Sequence, residues 1–137
     1  MMCIMSKSKS SALDVEKLNE LNFAHCTPHC TEADLHPAVR DAIIMAQKMS
    51  GFQFTITSAL RSQEWERNHG RKGASSHCKG LAVDISTIDS HTRFKVVASL
   101  LYAGFPRLGI GKTFVHADMD ETKAHPIIFH YYDPQNT

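Results

Sequence analysis

The chain has 137 residues, of which 42% are hydrophobic and 21% are charged. These values are typical of one globular domain that buries its own core. The formal net charge of +1 argues against nucleic acid or an anionic membrane surface as a partner. No apolar run approaches the roughly 20 residues of a membrane-spanning helix. We therefore expect a protein that binds neither a nucleic acid nor a membrane. We also expect it to be a monomer.

The first residues are rich in methionine, lysine and serine and lack the ordered regions of a signal peptide. We expect residues 1–11 to be a poorly ordered leader and residues 12–137 to form a single domain. Without an export signal, cytoplasmic synthesis is expected, and cysteines in such a protein are usually free thiols. The four cysteines are Cys3, Cys26, Cys30 and Cys78.

Hydrophobic periodicity predicts the first elements in chain order. A short helix is expected over residues 14–22 and a stronger one over 36–49, followed by a strand over 52–58 and a short helix over 63–68. The second helix has an apolar stripe that is predicted to be buried, and its methionine is expected in the core. This stripe consists of Val39, Ala42, Ile43, Ala46 and Met49.

The second half of the chain alternates between strands and one helix. Strands are predicted over 81–86, 114–118 and 127–132, and a helix over 91–103. The stripe predicted to be buried on this helix consists of Phe94, Val97, Ala98 and Leu101. The fold class is therefore α+β, with a small, mainly antiparallel sheet flanked by helices.

Two strands carry side chains that are unusual in a core. In residues 81–86, Asp84 faces away from Val83 and Ile85 because side chains alternate along a strand. A buried carboxylate is costly unless it is paired or holds a metal. His77 precedes this strand in a loop that can fold back beside Asp84. In residues 114–118, His116 and Asp118 share one strand face.

Together, His77, Asp84 and His116 would form a three-ligand set with an open fourth position, which is typical of catalytic zinc. The alternative is three unrelated residues: a loop histidine, a capped aspartate and a core histidine. A second potential metal set comprises His25, Cys26, His29 and Cys30. Pro28 breaks any helix that would align it, so a turn is the preferred interpretation there.

Three blocks of the chain resemble a known family. Residues 75–85 (SSHCKGLAVDI) resemble the Ser-x-His-x-x-Gly-x-Ala-x-Asp signature of the zinc D-Ala-D-Ala carboxypeptidase family of peptidoglycan peptidases. Residues 109–118 (GIGKTFVHAD) are similar to its second block, and residues 57–62 (TSALRS) to its Ser-x-x-Arg-Ser element. The resemblance covers about residues 35–132, and the compact size is similar to phage and prophage endolysin forms.

The resemblance implies the fold shared by these DD-peptidases, the D-Ala-D-Ala dipeptidases and the hedgehog amino-terminal domain. It also implies one zinc ion held by His77, Asp84 and His116. Arg61 matches the basic residue of the substrate cleft, where a guanidinium holds a carboxylate or a developing oxyanion. Ser76 and Asn68 are further candidates for substrate binding.

The general base is where the chain departs from the family. Several relatives have an acidic residue three positions before the third ligand, and this chain has Thr113 there. Asp118 is the nearest replacement, either as the catalytic base or as a partner that orients a histidine. Asp120 and Glu121 are weaker candidates.

The resemblance implies hydrolysis of a D-Ala-containing bond in peptidoglycan stem peptides, as an endo- or carboxypeptidase. Such an enzyme would reach the cell wall after phage-type release. One alternative is a non-catalytic zinc module of the same fold. A third hypothesis is a redox or metal-storage protein that uses Cys26, Cys30 and Cys78.

Overall fold

The computed structural model describes residues 12–23, 26, 30–71, 73 and 75–132, and the side chains from residue 15 onward within these ranges. The predicted leader over residues 1–11 lies outside this part of the chain, as do His25 and His29 of the second potential metal set. No helix among the described residues is long and apolar enough to cross a membrane.

The predicted helices and strands occur in the predicted order with shifted ends, and one further strand, Arg107–Ile110, precedes the strand predicted over 114–118. The helices are α1 (Ala12–Lys17), α2 (Pro37–Ser50), α3 (Gln63–Asn68) and α4 (Ser90–Tyr102). The strands are β1 (Ile56–Ser58), β2 (Ala82–Ser86), β3 (Arg107–Ile110), β4 (Phe114–Asp118) and β5 (Ile127–His130). Two 3-10 turns span Glu32–Asp34 and Ser76–Lys79.

The fold is α+β, as predicted, and its sheet has the strand order β1-β2-β4-β3-β5. All neighbouring strands are antiparallel except β3 and β5, which are parallel. The sheet is therefore mixed. The reason is the connection after β4, which returns the chain to the start of β3, where Ile127 pairs with Arg107. A strand that begins there can only run in the direction of β3.

One face of the sheet is apolar and packs on α2 and α4. Helix α2 begins at Pro37, where the His36 ring accepts a hydrogen bond from the Ala38 amide, and ends at Gly51 in the left-handed conformation. The core residues of the two helices and the sheet include Val39, Ile43, Ala46, Val96, Leu100, Ile56, Val83, Ile85, Leu108, Val115 and Ala117. The opposite face of the central strands is thereby left for polar side chains.

Two predicted helix stripes were partly wrong. Met45 and Met49 are each 49% exposed, so the methionines of α2 border the core instead of filling it. On α4, Val96, Ser99 and Leu100 are buried, whereas Phe94 is 72% and Leu101 47% exposed. Apolar residues occur on several sides of α4, so their spacing alone does not identify the buried face. The exposed residues of the two predicted stripes are Met49, Phe94, Ala98 and Leu101, whereas Val97 is partly buried against the core.

The cysteine prediction was also partly wrong. Cys26 and Cys30 form a disulfide, with their Cα atoms 5.9 Å apart, while Cys78 is a free thiol. The disulfide closes the short segment that precedes the first 3-10 turn, and Cys30 is buried in the core. Because this pair is oxidised, it does not support a thiol-based metal-storage function at these positions.

Gly80 holds the second 3-10 turn against the first part of the chain. Its φ is 73°, and an added Cβ would lie 2.9 Å from the Asp34 carbonyl oxygen, while its own carbonyl accepts from the His36 amide at 2.9 Å. Gly51 has a similar φ of 86° but open space around it. A substitution at either glycine therefore meets similar backbone strain, but only at Gly80 would the added Cβ clash with a neighbouring atom.

We expect Gly80→Ala to lower the free energy of unfolding by about 2–5 kcal/mol, since left-handed strain and overpacking add. Gly51→Ala, the matched control, should cost about 1–2 kcal/mol from strain alone. Urea denaturation of both variants measures the difference. Equal losses would show that the contact with Asp34 does not constrain the turn.

Candidate metal centre

His77, Asp84 and His116 meet on the polar face of the sheet. One donor atom from each residue can be chosen so that all three lie within 4.8 Å of one another. Asp84 Oδ1 lies 3.4 Å from His77 Nε2 and 3.1 Å from His116 Nδ1. Both histidines are buried, and 17% of the Asp84 side chain is exposed. The three residues thus form a group that could hold one metal ion.

The positions of these side chains follow from strand pairing. Asp84 on β2 is directly opposite His116 on β4, and alternation turns both away from the apolar face. His77 lies in the 3-10 turn immediately before β2, and this turn ends at Gly80. The Leu81 amide donates to the Ser76 carbonyl and the Met119 amide to the Leu81 carbonyl. The turn is therefore fixed to both strands.

Hydrogen bonds on the far side of each ring determine which nitrogen faces the centre. His77 Nδ1 lies 2.8 Å from the Ala59 carbonyl oxygen, which can only accept, so Nδ1 carries the proton and Nε2 is free. His116 Nε2 donates to Asp118 Oδ2 at 2.6 Å, which directs Nδ1 toward Asp84. Two imidazole nitrogens and one carboxylate oxygen are a ligand set that fits zinc.

The electrostatics of the site show strong coupling between these groups. Burial raises the pKa of Asp84, but the hydrogen-bonding and charge interactions with the His116 and His77 rings outweigh burial, so the pKa lies well below its ordinary value. Burial lowers the pKa of His116, but Asp118 and Asp84 together raise it above the ordinary value. The two carboxylates on either side of this imidazole thus favour its positively charged form.

Asp118 is buried and each of its oxygens has partners. Oδ2, which contacts His116, also accepts a hydrogen bond from Arg107 Nε at 3.1 Å. Oδ1 lies 2.9 Å from Arg107 Nε and accepts a hydrogen bond from the Asp120 amide at 3.0 Å. Burial raises the pKa of Asp118, but the bonds from His116 and the Asp120 amide lower it below its ordinary value. This environment is that of a carboxylate that orients a histidine.

Arg61 is held at the edge of the site by an acidic residue that sequence analysis missed. Glu66, in α3, is 1% exposed, and its Oε2 lies 3.0 Å from Arg61 Nε and accepts the Ser75 hydroxyl at 2.6 Å. The Arg61 guanidinium also lies over the Trp65 ring, 5.3 Å from its centroid. These contacts restrict the guanidinium to one region of the site.

The two other predicted substrate-binding residues differ in their placement. Ser76 is 1% exposed, and its hydroxyl donates to Asp120 Oδ2 at 2.8 Å, so the hydroxyl already has a partner. Lys79 also donates to this oxygen, at 3.0 Å. Asn68 is exposed at the end of α3 and does not line the pocket around the three candidate ligands. Its predicted role therefore receives no support from its position.

A pocket of about 460 Å³ surrounds the three candidate ligands. An aromatic wall includes Phe129 and Tyr131, whose ring centroids are 5.5 Å apart. Burial and the nearby carboxylates Asp84 and Asp118 raise the pKa of Tyr131, so its phenol stays protonated. The full lining consists of Arg61, Arg71, Ser75, Ser76, His77, Asp84, Arg107, Phe114, His116, Asp118, Lys123, Phe129 and Tyr131.

Several residues in and around the pocket had no sequence signal that pointed to the site. Glu66 lies in a short polar helix, and nothing in the local pattern indicates that it is buried. Arg107 is directly opposite Asp118 on the adjacent strand, a pairing that would be predictable only from the correct register. Tyr131 follows β5, whose parallel placement was not predicted. All three depend on contacts between distant parts of the chain.

An open His-Asp-His set in a pocket is the arrangement of a mononuclear metal site in a hydrolytic enzyme. The family model described as Peptidase M15 matches residues 17–118. The chain therefore belongs to this family of metal-dependent peptidases, which confirms the family predicted from its sequence blocks. No curated protein matches the chain.

Proposed function

We propose that this protein is a zinc peptidase that hydrolyses a D-Ala-containing peptide bond in peptidoglycan stem peptides. The observation that carries the proposal is the convergence of His77 Nε2, Asp84 Oδ1 and His116 Nδ1 in an open pocket of a Peptidase M15 domain. The bound ion would be held by these three residues. When bound, zinc supplies a Lewis acid that activates water and polarises a carbonyl.

The remaining roles fall to side chains around the ligands. Arg61 faces the same pocket and would bind a substrate carboxylate or stabilise the charge that develops on the scissile carbonyl oxygen. Tyr131 would present a neutral phenol as a hydrogen-bond donor. Asp118 would hold His116 in the tautomer that leaves Nδ1 free, the second of the two roles considered for it.

The location of the reaction is part of the same proposal. The Cys26–Cys30 disulfide supports action outside the cytoplasm, because structural disulfides persist mainly in oxidising compartments. We propose that the protein acts as a monomer on the cell wall after phage-type release, with the stem peptide as its partner.

Digestion of purified peptidoglycan tests the proposal. Mass spectrometry should detect fragments that differ from the starting stem peptides by one hydrolysed bond. A chelator should abolish their release, and stoichiometric zinc should restore it. The fragment masses also distinguish carboxypeptidase from endopeptidase cleavage. Release that continues in metal-free protein would contradict the proposal.

One observation favours a second candidate function, a non-catalytic zinc module. Among the described residues that line the pocket, the carboxylates are Asp84 and Asp118, and both have partners. Thr113, at the position where several relatives have an acidic residue, is exposed in the turn between β3 and β4. This function predicts stoichiometric zinc binding with no fragment release in the same digestion.

A further inference from the structure

The cations that line the pocket do not all have acidic partners. Arg61 is paired with Glu66, and Arg107 with Asp118. No carboxylate in the described part of the chain pairs with Arg71, which also lines the pocket. At least one arginine in the pocket wall therefore carries a charge that no described carboxylate neutralises.

The Arg71 side chain is exposed, but one aromatic contact orients it. Its guanidinium lies over the Trp65 ring, 5.5 Å from the centroid, and its amide donates to the Glu66 carbonyl at 2.8 Å. Trp65 also contacts Arg61, so one indole ring orients two guanidinium groups of the same pocket. An arginine that is oriented but unpaired loses little further entropy when it binds an anion.

Lys123 adds a second weakly neutralised cation to the lining. Its nearest described carboxylate is Asp120, with Nζ 4.0 Å from Oδ2. That oxygen already accepts the Ser76 hydroxyl and Lys79 Nζ at 2.8 and 3.0 Å. The Lys123 ammonium is therefore largely available, and a divalent cation at the ligand set would increase the excess of positive charge in the pocket.

We propose that Arg71 and Lys123 are specificity-determining residues that recognise a second carboxylate on the peptide, near the scissile bond and additional to the group bound at Arg61. The inference rests on the proposed peptidase function, since it concerns the substrate of the same pocket. A carboxylate is the matching chemistry because a peptide can carry it close to the bond and a guanidinium binds it with two parallel hydrogen bonds.

Two non-hydrolysable tripeptide probes test the proposal by calorimetry on the zinc-loaded protein. Both probes have a free C-terminal D-Ala and a ketomethylene group in place of the last peptide bond. They differ only in the first residue, which is glutamate in one probe and glutamine in the other. We expect the glutamate probe to bind about tenfold more tightly, as one charge-assisted hydrogen bond permits. Higher ionic strength should reduce this preference.

Arg71→Gln and Lys123→Gln should each reduce the preference toward unity while affinity for the glutamine probe changes less than about twofold. The controls Arg40→Gln and Lys48→Gln make the same charge changes on α2, outside the pocket. They should leave the preference for the glutamate probe unchanged. Equal affinities in the wild type, or a preference that survives both pocket substitutions, would overturn the inference.

The two proposals can fail separately. Binding does not require turnover, so a charge preference in a protein that releases no peptidoglycan fragments would contradict the peptidase function alone. Zinc-dependent fragment release without a charge preference would contradict the inference alone.

Discussion

His77→Ala is expected to weaken zinc binding by at least about 100-fold and to reduce fragment release to the level of the chelated protein. The reason is that Nε2 is one of three donor atoms in the group, and loss of a ligand should exceed the 10- to 100-fold effect of losing an outer partner. Zinc content after dialysis and the peptidoglycan digestion measure the two effects.

A second variant separates ligand loss from unfolding. His77 is buried and donates to the Ala59 carbonyl, so its removal also leaves that oxygen without this partner, at about 1–3 kcal/mol. Asp84→Asn keeps the shape of the side chain but removes the ligand charge, and it should cause the same loss of zinc. The control is His91→Ala, an exposed residue of α4. Full activity in zinc-free His77→Ala would refute the proposed role.

The candidate ligands were predictable because they depend on local rules. Asp84 and His116 each interrupt an apolar strand, and alternation alone assigns them to the face opposite Val83 and Val115. Antiparallel pairing of β2 and β4 then makes them direct neighbours. His77 was harder, since a loop residue has no fixed direction; the sequence showed only that its loop can fold back beside Asp84, and the family signature implied the same residue.

The supporting contacts were not predictable, because they join distant segments. Ser76 and Asp120 are 44 positions apart yet share a buried hydrogen bond, and no local periodicity encodes that distance. The same holds for β5, whose direction depends on where the preceding loop returns to the sheet. Local patterns therefore predicted which candidate ligands come together better than they predicted the residues that hold them in place.

Asp118→Asn distinguishes the two roles considered for this carboxylate. If Asp118 orients His116, the substitution should lower zinc affinity about 10- to 100-fold, because a neutral amide is a weaker acceptor for Nε2–H. Activity should then recover substantially at saturating zinc. If Asp118 is instead the general base, zinc affinity should remain near that of the wild type and activity should stay low at every zinc concentration. Competition with a fluorescent chelator measures affinity, and fragment release measures activity.

Stability provides an independent readout for the same variant. Only 11% of the Arg107 side chain is exposed, and Asp118→Asn removes its charged partner, which for a buried ion pair costs about 3–5 kcal/mol. Urea denaturation should therefore show a large loss for Asp118→Asn and almost none for Asp41→Asn, whose carboxylate is exposed on α2. A fully stable Asp118→Asn protein with unchanged zinc affinity would leave the orienting role without support, because both effects follow from the contacts with His116 and Arg107.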